Sequence, residues 1–187
     1  MNKNTEAFAY FITCRTYGTW LHGDQRFSTS RINNQFGKPF ITPWQPLHDE
    51  MHSKLSEPIF ILNSQQYRQT VLESLIDTCQ YNHWKLYAAH VRENHVHIVL
   101  QADADKEKTM RKLKCYATKY LKKNHPALID RMHFWSRHGS TINIWAPEKL
   151  FPVLYYVIKQ QGTPVSLYFN PKYYDPQDEA IYEAYFA

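Results

Sequence analysis

The chain has 187 residues, 43% of them hydrophobic and 21% charged, which suits one compact core and leaves too little length for two ordinary domains. With 5 glycines and 10 prolines, collagen-like and low-complexity classes are excluded, and no apolar run approaches the roughly 20 residues of a helical membrane span. A net charge of +5, with 16% aromatic residues and 14 tyrosines, suits a phosphate-bearing partner whose bases can stack. Three widely spaced cysteines (Cys14, Cys79 and Cys115) form no Cys-x-x-Cys motif. That spacing argues against a disulfide framework and for a reducing compartment. No apolar stretch follows Met1-Asn-Lys-Asn-Thr-Glu, so a single cytoplasmic domain over residues 1–187, with no membrane partner, is expected.

Period-2 alternation from Phe8 to Tyr17 predicts a first strand. Residues 22–62 then lose all long periodicity. His22-Gly-Asp, Phe36-Gly-Lys-Pro39 and Thr42-Pro-Trp-Gln-Pro46 are turn chemistry, and the stretch reads as an extended excursion with a short helix near Glu50–Leu55. Ser64 is placed to cap a helix running to about Asn82, with Val71, Leu72, Leu75, Ile76 and Cys79 on its apolar face. Trp84–Arg92 and His95–Gln101 read as two strands joined in a hairpin. A second helix spans about Lys106 to Lys123, burying Met110, Leu113, Ala117 and Leu121. After a turn at His138-Gly139, Thr141–Trp145 is one more strand. Pro147 and Glu148 open a third helix through about Gln161, which Gly162 and Pro164 stop. The tail, from about residue 165, is polar, aromatic and proline-containing, with a short helix over Gln177–Tyr185. The order strand, helix, strand, strand, helix, strand, helix is that of an α+β, ferredoxin-like antiparallel sheet with helices on one face and a helix appended.

Three constellations carry chemistry. In Asn94-His95-Val96-His97 the two imidazoles share one side of a strand, a half-site for a divalent cation, though a solvated strand face fits them equally. On the last helix Tyr156 and Gln160 stand four residues apart, on one face. A glutamine carbonyl can complete a hard-cation site, and a tyrosine beside it can attack an electrophile once activated. Tyr155 and Tyr156 also fit as core aromatics. Gln161 lies beside Gln160, so both the tyrosine and the glutamine assignments have a neighbouring alternative. The Lys106–Lys123 helix sets eight cations against one acid, Glu107. Arg111, Lys112, Lys114, Lys119, Lys122 and Lys123 are its candidate phosphate contacts, with Tyr116 and Tyr120 free to stack on bases or to fill the core.

Taken in order, His95-Val96-His97 after an asparagine, the Lys/Tyr-rich helix, Phe134-Trp135-Ser136, and Tyr156 with Gln160 near a helix end resemble the single-tyrosine HUH transposases. Both the insertion-sequence-200-like and the REP-associated tyrosine transposases share this pattern. Glu93-Asn94 departs from the Pro-Asn or Pro-Asp pair that often precedes the dyad. The resemblance implies that His95, His97 and Gln160 hold Mg²⁺ or Mn²⁺ and that Tyr156 is the nucleophile. It also implies single-stranded or hairpin DNA as partner, a 5′-phosphotyrosine intermediate, and either a monomer or a homodimer. The competing expectation is a domesticated, non-catalytic module that binds single-stranded or hairpin nucleic acid.

Overall fold

The computed structural model describes residues 7–28 and 40–186. The expected turn at Phe36-Gly-Lys-Pro39 lies outside the described residues. The first strand, β1, is Ala9–Thr16, followed by helices α1 (Gln45–Ser53) and α2 (Gln65–Tyr81). Strands β2 (Lys85–Val91) and β3 (His95–Gln101) precede α3 (Lys106–Asn124) and β4 (Trp135–Ile144). Helix α4 (Leu150–Lys159), strand β5 (Ser166–Phe169) and helix α5 (Pro176–Phe186) complete the order. The strands form one five-stranded sheet in the order β4-β1-β3-β2-β5, and each pairing is antiparallel. The architecture is thus α+β, with the central strands β1 and β3 buried between neighbours.

Local chemistry accounts for most of the boundaries. The Ser64 hydroxyl accepts from the Tyr67 N–H at 3.1 Å, capping α2 as its sequence predicts. Asp105 caps α3 by accepting from the Glu107 and Lys108 N–H groups. The buried face of α3 contains Met110, Leu113, Ala117 and Leu121, the stripe its periodicity foretells. Those residues pack with α2 against Ile12, Cys14, Val96, Ile98 and Leu100 on one sheet face. A second core lies on the opposite face. There Leu154, Val157 and Ile158 of α4 cover Ala9, Tyr87, Ala88, Val99 and Ile144. Helices therefore pack on both faces, with the appended α4 on the far side from α2 and α3.

Four elements differ from expectation. Helix α1 begins at Gln45 rather than near Glu50, with Pro46 in its first turn where no N–H is needed. Strand β4 starts at Trp135, not Thr141, and runs through the expected turn at His138-Gly139. Gly139 pairs with Cys14, and a Cβ there would come within 2.5 Å of the Thr13 carbonyl oxygen and 2.6 Å of Met110 Sδ. This glycine permits a close approach rather than a turn. Pro147–Lys149 forms a separate 3₁₀ turn, and α4 proper starts at Leu150 with Pro152 in its first turn. Finally, the tail contributes β5, which pairs with β2.

Candidate active site

Positions 11, 13 and 15 of β1 point to the α4 side of the sheet, and so do His95 and His97 of β3. The β1–β3 register sets Thr13 opposite His97 and Arg15 opposite His95. Thr13 Oγ1 lies 2.9 Å from His97 Nδ1, and Asn94 Oδ1 accepts at 2.6 Å from His95 Nδ1. Those contacts fix both rings by one nitrogen and leave Nε2 as the outward-facing atom. The rings stand 4.7 Å apart between centroids.

Helix α4 sits above them. Neighbouring helical residues point about 100° apart, so Tyr155 and Tyr156 cannot share an environment. Tyr155 is buried in the α4 core, its hydroxyl donating to Glu183 of α5. Tyr156 remains 39% exposed, its ring 5.6 Å from that of His97 and 5.9 Å from that of Phe11. His90, fully buried on β2 opposite His97, ties the helix down through Nδ1, 2.9 Å from the Val157 carbonyl.

The helix ends one turn past Tyr156. Gln160 is its C-cap, with its backbone N–H donating to the Tyr156 carbonyl and its side chain exposed. Gly162 then turns the chain with φ 73°, a left-handed conformation that glycine adopts freely. Gln161 is consequently the glutamine brought to the dyad. Its Oε1 stands 3.1 Å from His97 Nε2, and its Nε2 donates to the Tyr156 carbonyl at 3.4 Å. The i+4 pairing of Tyr156 with Gln160 does not converge on the histidines; the i+5 pairing with Gln161 does, because the helix has already ended.

Phe11, Thr13, Arg15, Trp20, His95, His97, Ser140, Tyr156 and Gln161 together line a cleft of about 400 Å³. Burial lowers His95 to about 4, partly offset by Gln161, and lowers His97 to about 3, with His95 beside it as the next cause. Both rings are therefore neutral at pH 7 and able to donate a lone pair. Two imidazole nitrogens and one amide oxygen suit a divalent cation that tolerates mixed ligands, and the open cleft leaves its remaining positions to water or phosphate oxygens. Among the described residues no cluster of three His, Cys, Asp or Glu side chains is arranged to hold a metal. Beside the two imidazoles stands the Gln161 amide, and among the described residues no carboxylate lines the cleft.

The basic helix stands elsewhere. Helix α3 packs on the sheet face opposite the cleft, so Arg111, Lys112, Lys114, Lys119, Lys122 and Lys123 are not brought to the histidines. Arg111, Lys119 and Lys123 are exposed. Lys112 donates to Asn82, and Lys114 Nζ reaches the Ser136 and His138 carbonyls at 3.0 and 3.1 Å. Lys122 leans over the Phe134 ring. Sequence reasoning overlooked Thr13, Arg15 and Trp20. Alternation does set Thr13 and Arg15 on one face of β1, but only the cross-strand register reveals that this face is the histidines' own.

A five-stranded antiparallel sheet with a histidine pair on a central strand, facing a helix-borne tyrosine across an open cleft, defines an α+β protein with imidazole, phenol and amide groups gathered at one site. Residues 58–142 match the family model described as Transposase IS200 like, so this part of the chain is similar to IS200-like transposases, as its motifs suggest. The match includes His95 and His97 and ends before Tyr156 and Gln161. No curated protein sequence shows significant similarity to the chain. Among solved structures, the chain is similar to a REP-associated tyrosine transposase bound to a REP hairpin, with 12% identity and a TM-score of 0.46, covering 84% of this chain and 68% of that one. It is also similar to a candidate transposase from Deinococcus radiodurans, with 12% identity and a TM-score of 0.44, covering 87% and 98% of the two chains. No helix among the described residues is long and apolar enough to cross a membrane.

Proposed function

We propose that this protein is a transposase that nicks and transfers single-stranded or hairpin DNA through a covalent phosphotyrosine. The observation that carries the reading is the half-exposed Tyr156 ring facing the paired, neutral His95 and His97 across one cleft. His95, His97 and Gln161 are the residues that would hold Mg²⁺ or Mn²⁺. Such a cation, when bound, polarises the scissile phosphate and offsets the charge that develops on it. Tyr156 Oη attacks phosphorus, forming the Tyr–O–P bond as the P–O3′ bond breaks, which leaves a 5′-phosphotyrosine and a free 3′-hydroxyl. The phenolic proton passes to solvent, to which the tyrosine is open, and the leaving 3′ oxygen takes a proton from solvent in turn. Religation runs the same exchange backwards with a new 3′-hydroxyl, so no nucleotide cofactor is needed. The exposed cations of α3 form a second contact face, suited to the duplex part of a hairpin rather than to the cleaved strand.

Trapping tests the reading. Wild-type protein, incubated with single-stranded and hairpin oligonucleotides and Mn²⁺, should give an adduct that survives a denaturing gel. His95→Ala and His97→Ala should lose it while keeping most of their DNA affinity, which comes from phosphate contacts. Equal loss of binding and cleavage in folded variants would speak against the metal role. DNA binding without an adduct from any oligonucleotide would favour a non-catalytic module.

A further inference from the structure

Arg15 lies on the floor of the cleft, across the ladder from His95. Its guanidinium carbon stands 3.2 Å from the centre of the Trp20 ring. Trp20 is itself anchored, with Nε1 donating to the Phe27 carbonyl at 2.7 Å. A second guanidinium, that of Arg26, reaches the same ring at 4.6 Å. The two arginines differ in their partners. Arg26 is bound by the Asp24 carboxylate and donates to the Thr19 carbonyl at 2.7 Å. Arg15 has no carboxylate or carbonyl acceptor among the described residues, although it is half-buried. The indole covers its plane, while Asp24, bonded directly to Arg26, acts on it only through space and against the repulsion of Arg26.

An ion pair would have satisfied that charge if packing were its only purpose, as Asp24 does for Arg26. A half-buried cation with no acid bonded to it, and a second guanidinium beside it, costs desolvation and repulsion that the distant Asp24 only partly returns, unless an anion completes the site. Stacking on Trp20 holds the planar fork in place, so its N–H donors are already oriented when a ligand arrives. The fork lines the same cleft as His95, His97 and Tyr156, and fork geometry matches two oxygens of one phosphate group.

We infer that Arg15, held on the Trp20 shelf, is the phosphate-binding residue of the cleft and grips the phosphodiester that Tyr156 attacks through its non-bridging oxygens. The inference rests on the nuclease reading above and adds a direct substrate contact to it. Arg15 is a protein cation that stays in place whether or not a metal is bound. Its guanidinium shares the charge that develops on phosphorus, and it sets the strand in the cleft before attack.

The test pairs two measurements on the full chain. Binding of a random-sequence single-stranded 20-mer is followed over a salt series in Ca²⁺, and Mn²⁺ binding is followed separately by calorimetry. Arg15→Gln should flatten the salt slope by about 0.7, the value for one single-strand phosphate. Its Mn²⁺ affinity should be unchanged or higher, because a nearby positive charge is gone; a structural role alone would not produce that pair of results. Arg15→Lys should keep the slope and bind DNA about tenfold more weakly, one hydrogen bond of the fork being removed. If Arg15→Gln fails to fold, Arg15→Lys decides: unchanged DNA affinity overturns the inference. For a folded Arg15→Gln, a wild-type slope with normal adduct formation also overturns it and leaves the nuclease reading standing. A wild-type protein that neither binds the 20-mer nor forms an adduct with hairpins overturns both.

Discussion

Thr13 faces His97 directly across the β1–β3 ladder, and its hydroxyl holds the ring at Nδ1 from 2.9 Å. A hydroxyl can donate or accept, so it supports either imidazole tautomer. With Gln161 Oε1 accepting from Nε2–H, the Thr13 hydroxyl donates to Nδ1; in the other tautomer Nδ1–H would donate to Thr13 and free the Nε2 lone pair for a cation. Thr13→Val keeps the β-branched shape and removes this partner. Mn²⁺ affinity should fall by roughly 10- to 100-fold, the usual loss when a ligand's outer hydrogen bond is deleted. Thr13→Ser should restore most of it. Calorimetric titration of the three proteins decides, and equal affinities would show that the ladder alone orients the ring.

Tyr155 and Tyr156 separate by environment, and so should their variants. Tyr156→Phe keeps the ring contacts with Phe11 and His97 and removes only the half-exposed hydroxyl, so stability should change little while the DNA adduct disappears. Tyr155→Phe breaks the bond to Glu183, costing on the order of 1 kcal/mol of stability, and should keep the adduct. Gln161→Ala should weaken Mn²⁺ binding, and Gln160→Ala should not, since the Gln160 side chain is exposed beyond the helix end. An adduct carried by Tyr155 alone would sink this assignment.

The order of the major elements, the cap at Ser64 and the buried stripe of α3 were legible because each follows from contacts within a few residues. What stayed hidden depends on partners far along the chain. Gly139 resembles a turn residue in sequence and becomes a strand residue only because β1 and Met110 approach it. Strand β5 has four residues between Pro164 and Asn170, too short for a period to register, and exists by pairing with β2. At the site, spacing put the histidine pair and Tyr156 forward only as candidates, which the structure brings to one cleft. Helical arithmetic put Gln160 forward with them, under Tyr156, while the turn at Gly162 returns Gln161 instead. Arg15 and Thr13 needed the register.

The charge on α3 permits a test of its own, separate from the cleft. Arg111, Lys119 and Lys123 are exposed on the side of the sheet away from His95. Replacing all three with Gln should weaken hairpin binding and reduce its salt slope by as much as about 0.9 for each duplex phosphate no longer neutralised. Mn²⁺ affinity should be unchanged, as none of the three reaches the cleft. Any adduct formed at saturating DNA should also persist. A slope equal to wild type would mean that this face is only solvated. Lys112 and Lys114 are left out of the variant because their bonds to Asn82 and to the β4 carbonyls serve the fold.

The buried dyad predicts a particular dependence of stability on pH. Burial holds His95 at about 4 and His97 at about 3, whereas an unfolded chain leaves histidine near about 6.5. His90 shifts downward as well, again through burial. The native rings therefore stay neutral while the unfolded rings take up protons. Because the unfolded state binds more protons, stability rises with pH across this window. The contribution is fully present above about 6.5 and is lost progressively as the pH falls toward 4. Each histidine sets an upper limit of about 1.4 kcal/mol per pH unit, reduced by the partial exposure of His95 and its solvent screening. Asp24, held at about 2 by its hydrogen bonds from Arg26, loses its contribution only as the pH falls from about 4 toward 2, below the range of the urea series. Urea unfolding from pH 8 to 4.5 should show constant stability down to about 6.5 and a decline below it. His95→Asn with His97→Asn should flatten the decline, leaving what His90 contributes. A wild-type profile level down to pH 5 would mean that the dyad is solvated in the folded protein and titrates as it does in the unfolded chain.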